Sequence, residues 1–261
     1  MKTIQGDVNL TQFQLKEIPE ILNGVHIKDG GFYIPYNRIT SLKNSPEKVD
    51  RIFNCNANKI INFVGGPKEV GHLLAISCRL TTLEGFPKIT GYESNILTGR
   101  IDISHNNLTS LVGLPETLYG NLDISNNPLK SLQGCSKVIK GNFVLDSIPI
   151  TNMIGGPEII EGDCTLISTQ INSFVGFPKH IHGNLFIGDT PLWTELRNKT
   201  GSKIKTKHLI WDLLKSIKCK VDGYIWNNDE DYDDEDYDDE DYDDDDDGDR
   251  NEFGVLRRPV W

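Results

Sequence analysis

The sequence predicts an α/β-type repeat solenoid, with parallel strands on a concave face and a C-terminal capping helix. Three observations predict it. A short pattern of apolar, any, apolar residues recurs nine times. Its first members step by 24, 21, 21, 27, 21, 21, 21 and 21 residues. A fixed period in this range marks stacked supersecondary units, each unable to bury its apolar face alone. After Leu192 the period stops, and apolar residues at helical spacing follow.

The paired positions are Val8/Leu10, Phe32/Ile34, Phe53/Cys55, Leu74/Ile76, Ile101/Ile103, Leu122/Ile124, Phe143/Leu145, Cys164/Leu166 and Leu185/Ile187. Side chains two apart on a strand share a face, so both members of each pair point inward. The units beginning at Gly120, Gly141 and Gly162 align without gaps. Each continues to an apolar residue (Leu129, Ile150, Ile171) and a second one (Leu132, Met153, Phe174). A Gly-x-Pro turn follows in many units, with Pro46, Pro67, Pro87, Pro115, Pro157 and Pro178. Glycine tolerates the bend and proline fixes φ. An apolar residue closes the unit, as at Val49, Val70, Leu118, Ile139, Ile160 and Ile181. The fourth unit is longer, and the extra residues around 92–98 are expected to bulge from its rim or convex side.

The segments ISHNNLTSL (Ile103 to Leu111) and ISNNPLKSL (Ile124 to Leu132) carry an L-x-x-N-x-L-x-x-L core. On those residues the chain resembles the leucine-rich repeat proteins, over about residues 6 to 192. The resemblance implies that Asn106 or Asn107, and Asn127, bond backbone groups of the turn. Ile148 and Thr169 replace that asparagine in later units. The Gly-x-Pro flavour is similar to short repeats of large tailed phages, giant viruses and bacterial effectors. That likeness implies a viral, host-directed protein of the host cytoplasm.

No run of about 18 apolar residues is present, so no membrane span is expected. The opening MKTIQGDVNLTQF lacks an apolar core, so no signal peptide is expected. Five cysteines (Cys55, Cys78, Cys135, Cys164, Cys219) are widely spaced, without a C-x-x-C pair. They read as buried free thiols in a reducing cytoplasm, not as zinc ligands.

The net charge of −11 conceals a segregation. Asp229 to Asp249 holds 17 acids and no base, which leaves 21 acids against 27 bases elsewhere. Arg197 to Lys220 holds eight bases and one acid, Asp212. The expected organisation is a solenoid over 1–192, a basic cap over 193–228, an acidic tail over 229–250 and a short motif over 251–261. In the cap, Ile210, Leu213, Leu214 and Ile217 fall at helical spacing with Trp211 beside them. Thr206 is the expected N-cap, and Val221 to Trp226 the final turn and strand.

The tail contains three copies of Asp-Glu-Asp-Tyr-Asp. Such composition is expected to be disordered, because too little apolar area exists to offset ordering. Three readings stay open: a solvating tail, a tail folded onto its own basic cap, or a mimic of single-stranded nucleic acid. In the last, carboxylates imitate phosphates and Tyr232, Tyr237 and Tyr242 stack as bases do. Asp243, Asp245, Asp247 and Gly248 match the start of an EF-hand loop, but Gly254 stands where its bidentate glutamate belongs. Residues 251–261 are apolar enough to dock on the solenoid or to serve as a partner motif.

No phosphate-binding glycine loop, H-E-x-x-H or G-x-S-x-G motif occurs. No enzyme activity and no cofactor is expected. His180 and His182 alone are too few for a metal site and read as turn residues. Cys219 is not expected to be a nucleophile. The concave face is therefore the expected working surface. Its outward positions are Tyr33, Asn54, Ala75, Asp102, Asp123, Val144, Thr165 and Phe186, followed two residues later by Asn56, Ser77, Ser104, Ser125, Asp146 and Ile167. Asp102, Asp123 and Asp146 are expected to form an acidic centre, with rings at Tyr33 and Phe186. Exposed aromatics beside polar groups anchor protein interfaces.

The expected function is non-enzymatic binding of a protein on Tyr33, Asn54, Asp102, Asp123, Asp146, Thr165 and Phe186. The tail would engage a basic or nucleic-acid-binding protein through Tyr232, Tyr237 and Tyr242. Repeats followed by an acidic tail are also similar to the acidic leucine-rich nuclear phosphoproteins, whose partners are basic proteins. The alternative is binding of nucleic acid by the basic cap helix, with the tail autoinhibitory. No membrane and no small-molecule substrate is expected.

Overall fold

A computed structural model of the chain describes residues 2–91 and 99–227. Among them the chain forms a parallel-strand β-solenoid with a pair of helices near its C-terminal end. The apolar pairs build one ladder, whose members are called rungs. Its rungs start at Val8, Phe32, Phe53, Leu73, Ile101, Leu122, Phe143, Cys164, Leu185 and Ile225, each the register partner of the next. They belong to a sheet of 13 strands among the described residues. The closing apolar residues form a second ladder. Its C-terminal part is a five-stranded sheet of Thr117–Leu118, Val138–Ile139, Ile159–Ile160, His180–Ile181 and Lys220–Val221.

The pair residues from Phe32 onward lie in one continuous core, as do the closing residues Val49, Val70, Leu118, Ile139, Ile160 and Ile181. Phe32 and Phe53 stack with ring centres 5.8 Å apart. Val8 and Leu10, on the first rung, are only partly buried.

Polar ladders fix the turns between strands. Asn37, Asn58, Asn106 and Asn127 are buried and form one column. The Asn58 amide donates to the carbonyls of Ile34 and Cys55, and its Oδ1 accepts from Ile39 N. Asn106 fills this position in its turn, whereas Asn107 is exposed. Farther along, the Thr169 and Thr190 hydroxyls donate to Leu166 and Ile187 carbonyls. A second column holds left-handed residues four positions after each rung starts: Gln12, Tyr36, Ala57, Ser77, His105, Asn126, Ser147, Ser168 and Asp189, with φ between 53° and 61°.

That column corrects the fourth rung. Leu73 and Ala75 point inward at 0% exposure, not Leu74 and Ile76. Ala75 is therefore not an outward residue, and Ser77 sits at the left-handed corner. The third rung carries one extra residue between Val49 and Ile52, and the fourth turn lacks its counterpart. Gly71 fits this shortened bend, where a Cβ would fall 2.5 Å from the Asp50 carbonyl oxygen.

The helical region also differs from expectation. Helix α1 spans Pro191–Thr200 and helix α2 spans Lys203–Ser216. Thr190 caps α1 by accepting from Trp193 N, Pro191 occupies the first turn, and left-handed Gly201 ends it. Ser202, not Thr206, precedes α2. Thr206 lies inside α2, fully buried, with its hydroxyl bonded to Ser202 O and Thr200 Oγ1. Leu192, Trp193, Leu196, Ile210 and Leu214 join the core. The chain then resumes the solenoid, pairing Lys220–Val221 with His180–Ile181 and Ile225–Trp226 with Leu185–Phe186. The two helices are thus inserted into the last turn.

Candidate binding face and its aromatic end

The outward column of the long sheet runs through Asn9, Tyr33, Asn54, Leu74, Asp102, Asp123, Val144, Thr165, Phe186 and Trp226, by register. Alternation along each strand makes this column the necessary complement of the core. Its exposure is uneven. Tyr33, Asn54, Asp123 and Phe186 are partly exposed. Asp102 is only 4% exposed, Val144 7% and Thr165 8%. An open acidic centre at Asp102 is therefore corrected. In-register neighbours stand close enough to cover one another.

The carboxylates are committed to local bonds. Asp102 Oδ1 accepts from Ser104 N at 3.2 Å and Ser104 Oγ at 2.7 Å, and Oδ2 lies 3.3 Å from Arg100 Nη2. Arg100 N donates to His72 Nδ1 at 2.7 Å, which places the neutral ring's proton on Nε2. Burial pushes His72 below the usual imidazole range, and Arg100 adds to that. Asp123 Oδ1 accepts from Ser125 N, and Asp146 Oδ1 accepts from Ile167 N on the next rung. Asn54 Oδ1 accepts from Asn56 N. Beside Tyr33, Asp7 accepts from Gly31 N, and burial followed by Asp7 raises the Tyr33 phenol above its ordinary range.

Burial also raises the Asp123 carboxyl, and neighbouring Asp102 adds to the shift against bonds from Ser125. A group raised in the folded state costs stability above its unfolded pKa, and that cost fades as pH falls toward it. Asp123→Asn keeps the Oδ1 acceptor and removes the charge. Its Tm is expected to exceed the parent's at pH 7, with the gap closing on acidification. Thermal melts at pH 7 and pH 4 check this.

The C-terminal end of the face holds the rings. Trp226 is in register with Phe186, and Tyr224 stands two residues before it on the same face. The Tyr224 and Trp226 ring centres are 5.9 Å apart at 63°. Lys207 Nζ, from α2, lies 5.5 Å from the Trp226 ring centre. Tyr224 and Trp226 are exposed. Sequence reasoning stopped this column at Phe186. The missed signal was Gly223-Tyr224-Ile225-Trp226, which repeats the pattern of Gly183-Asn184-Leu185-Phe186. Beside the rings, Asn121, Asn142, Asp163 and Asn184 each accept at Oδ1 from a backbone N–H of the following rung. This side-chain ladder holds the corner next to the rings in place.

Tyr232, Tyr237 and Tyr242, the acidic segment and residues 92–98 lie outside the described residues. His180 and His182 do meet a third potential ligand, Asp222. The cysteines are free and buried. Burial pushes Cys135 up to about 12 and Cys219 up to about 11. Among the described residues, no helix is long and apolar enough to cross a membrane.

Comparison of the chain with protein-family models, curated proteins and solved structures finds no match.

Proposed function

We propose that the chain is a non-enzymatic, leucine-rich-repeat-like binding protein that grips a protein partner on the outer face of its long sheet. The observation that carries this is the graded face. Rings at Tyr33 and at Phe186, Trp226 and Tyr224 flank a centre whose polar groups are already bonded. Such a surface offers large aromatic area while its polar groups need little reordering, which favours association. The buried asparagine column supports the repeat classification. A thiol as basic as Cys219 is far from the thiolate a nucleophile requires.

The tail extends this reading. Seventeen carboxylates within 21 residues, with three evenly spaced tyrosines, suit a basic groove built for single-stranded nucleic acid. The likeness to viral repeats favours a host-directed inhibitor of a cytoplasmic nucleic-acid-binding protein. Partner capture from host extract, with and without the variants, tests it. The double variant Asp123→Lys with Phe186→Ala is expected to reduce capture while its urea midpoint stays at the parent's. Replacing Tyr232, Tyr237 and Tyr242 by Ser is expected to weaken it by roughly 1–3 kcal/mol per stacked ring. Single-stranded DNA should compete with the tail, and rising salt should weaken it steeply. Undiminished capture by the double variant removes the face from the reading.

A second reading rests on Lys207 beside the Trp226 and Tyr224 rings. Cations and stacked rings together are what single-stranded nucleic acid binds. Here the acidic segment is an internal competitor for the basic cap. A chain lacking residues 229–249 would then bind labelled single-stranded DNA that the full chain does not. Tail mimicry predicts no such gain.

A further inference from the structure

His180 and His182 flank Ile181 on the outer side of the five-stranded sheet. Asp222 reaches the same place from the last turn, because Asp222 N donates to Ile181 O while His182 N donates to Ile160 O. Asp222 Oδ2 stands 2.8 Å from His180 Nε2 and 3.4 Å from His182 Nδ1. The two imidazoles stack with ring centres 3.7 Å apart and 24° between planes. All three ligand atoms lie within 4.8 Å of one another.

Two ring nitrogens aimed at one carboxylate oxygen permit two chemistries. Each can donate a proton to that oxygen, or each can turn a lone pair toward a shared cation. We propose that His180, His182 and Asp222 form a site for a divalent transition metal of the zinc class, with water completing the coordination.

The donor set is two imidazoles and a carboxylate, which suits Zn²⁺ rather than Mg²⁺ or Ca²⁺. Zinc bonds near 2.0–2.1 Å place tetrahedral ligand atoms roughly 3.3 Å apart. The His182–Asp222 spacing of 3.4 Å already meets this, and His180 must withdraw by about half an ångström from its 2.8 Å contact. Lys220 Nζ holds the other carboxylate oxygen, Asp222 Oδ1, at 2.7 Å. That bond orients Oδ2 toward the imidazoles, as outer partners of metal ligands do. It also keeps the carboxyl ionised, since Lys220 and then His180 hold Asp222 below the usual carboxylate range. Glu161, on the preceding rung beside His182, is engaged by Lys140 and is not counted as a ligand. The metal would tie the strand before the helix pair to the strand after it, clipping the inserted loop at its base.

Zn²⁺ added to the full chain is the test. One site tighter than the diffuse binding of the acidic segment is expected, with a Tm rise of several degrees that EDTA reverses. Mg²⁺ at equal concentration should not reproduce the rise. His180→Asn with His182→Asn should abolish the tight site, and Asp222→Asn should weaken it by about tenfold or more. Both variants keep the acidic segment, so its background is common to all. In the unmodified chain, Zn²⁺ should protect His180 and His182 from diethylpyrocarbonate while exposed His105 and His208 stay reactive. An unchanged Zn²⁺-induced Tm rise in the double variant, or equal modification of all four histidines with and without Zn²⁺, overturns the proposal.

Discussion

Leu122→Asp is expected to cost the protein at least about 4 kcal/mol, and to leave it unfolded or nearly so at neutral pH. Leu122 is fully buried, between Ile101 and Phe143 on adjacent rungs. An ionised carboxylate there has no partner, and burial would raise its pKa. The folded state would therefore bind the proton more readily than the unfolded state. The loss should shrink as pH falls and grow as pH rises. Leu122→Ala, which leaves only a cavity, should cost about 2–5 kcal/mol without that pH dependence. Urea titrations of both variants at pH 5 and pH 8 separate the two costs. An Asp variant that melts like its parent means the ladder register is wrong.

The second large effect is expected at Asn106. Its amide donates to Ala75 O, Ile103 O and Ser104 O, and its Oδ1 accepts from Cys78 N and Leu80 N, all between 2.8 and 3.0 Å. Asn106→Leu removes both roles and leaves buried backbone groups of two turns unsatisfied, which should cost about 3–5 kcal/mol. Ile148 occupies the same column, so an apolar residue is tolerated where the neighbouring turn is built for it. The turn facing Asn106 is not, because two amides point at its oxygen. Asn107→Leu, one residue away and exposed, should stay within about 0.5 kcal/mol of the parent. Denaturation midpoints of the pair give the comparison directly.

The period and the ladders were legible because apolar residues alternate with polar ones on most strands. The fourth rung was not, since Leu73, Leu74, Ala75 and Ile76 are all apolar and offer no alternation to choose between registers. The left-handed column that resolves it consists mostly of Ser, Tyr, Ala and His, residues that do not announce such a conformation. Helix α1 had a readable start and stop in Thr190-Pro191 and Gly201. Its apolar residues were absorbed into the end of the repeat, so the boundary went unseen. At the candidate face, inward and outward assignment followed from spacing alone. The shielding of Asp102 did not, because it depends on residues of adjacent rungs more than 20 positions away. Asp222 is farther still from the histidines in sequence, across both helices, and only the return of the last turn brings it to them.

From Ile101 to Leu185 every step is 21 residues, and each rung touches only the one before and the one after. Turns in this stretch are therefore interchangeable parts. Removing residues 141–161 would bring Leu122 against Cys164 with alternation and corner asparagines still aligned. Duplicating them would add a rung in the same way. The irregular turns, with their shortened bend, extra residues and inserted helices, lie toward the two ends. The length of the molecule, and so the span of the surface it presents, is a freely adjustable quantity that leaves both ends untouched.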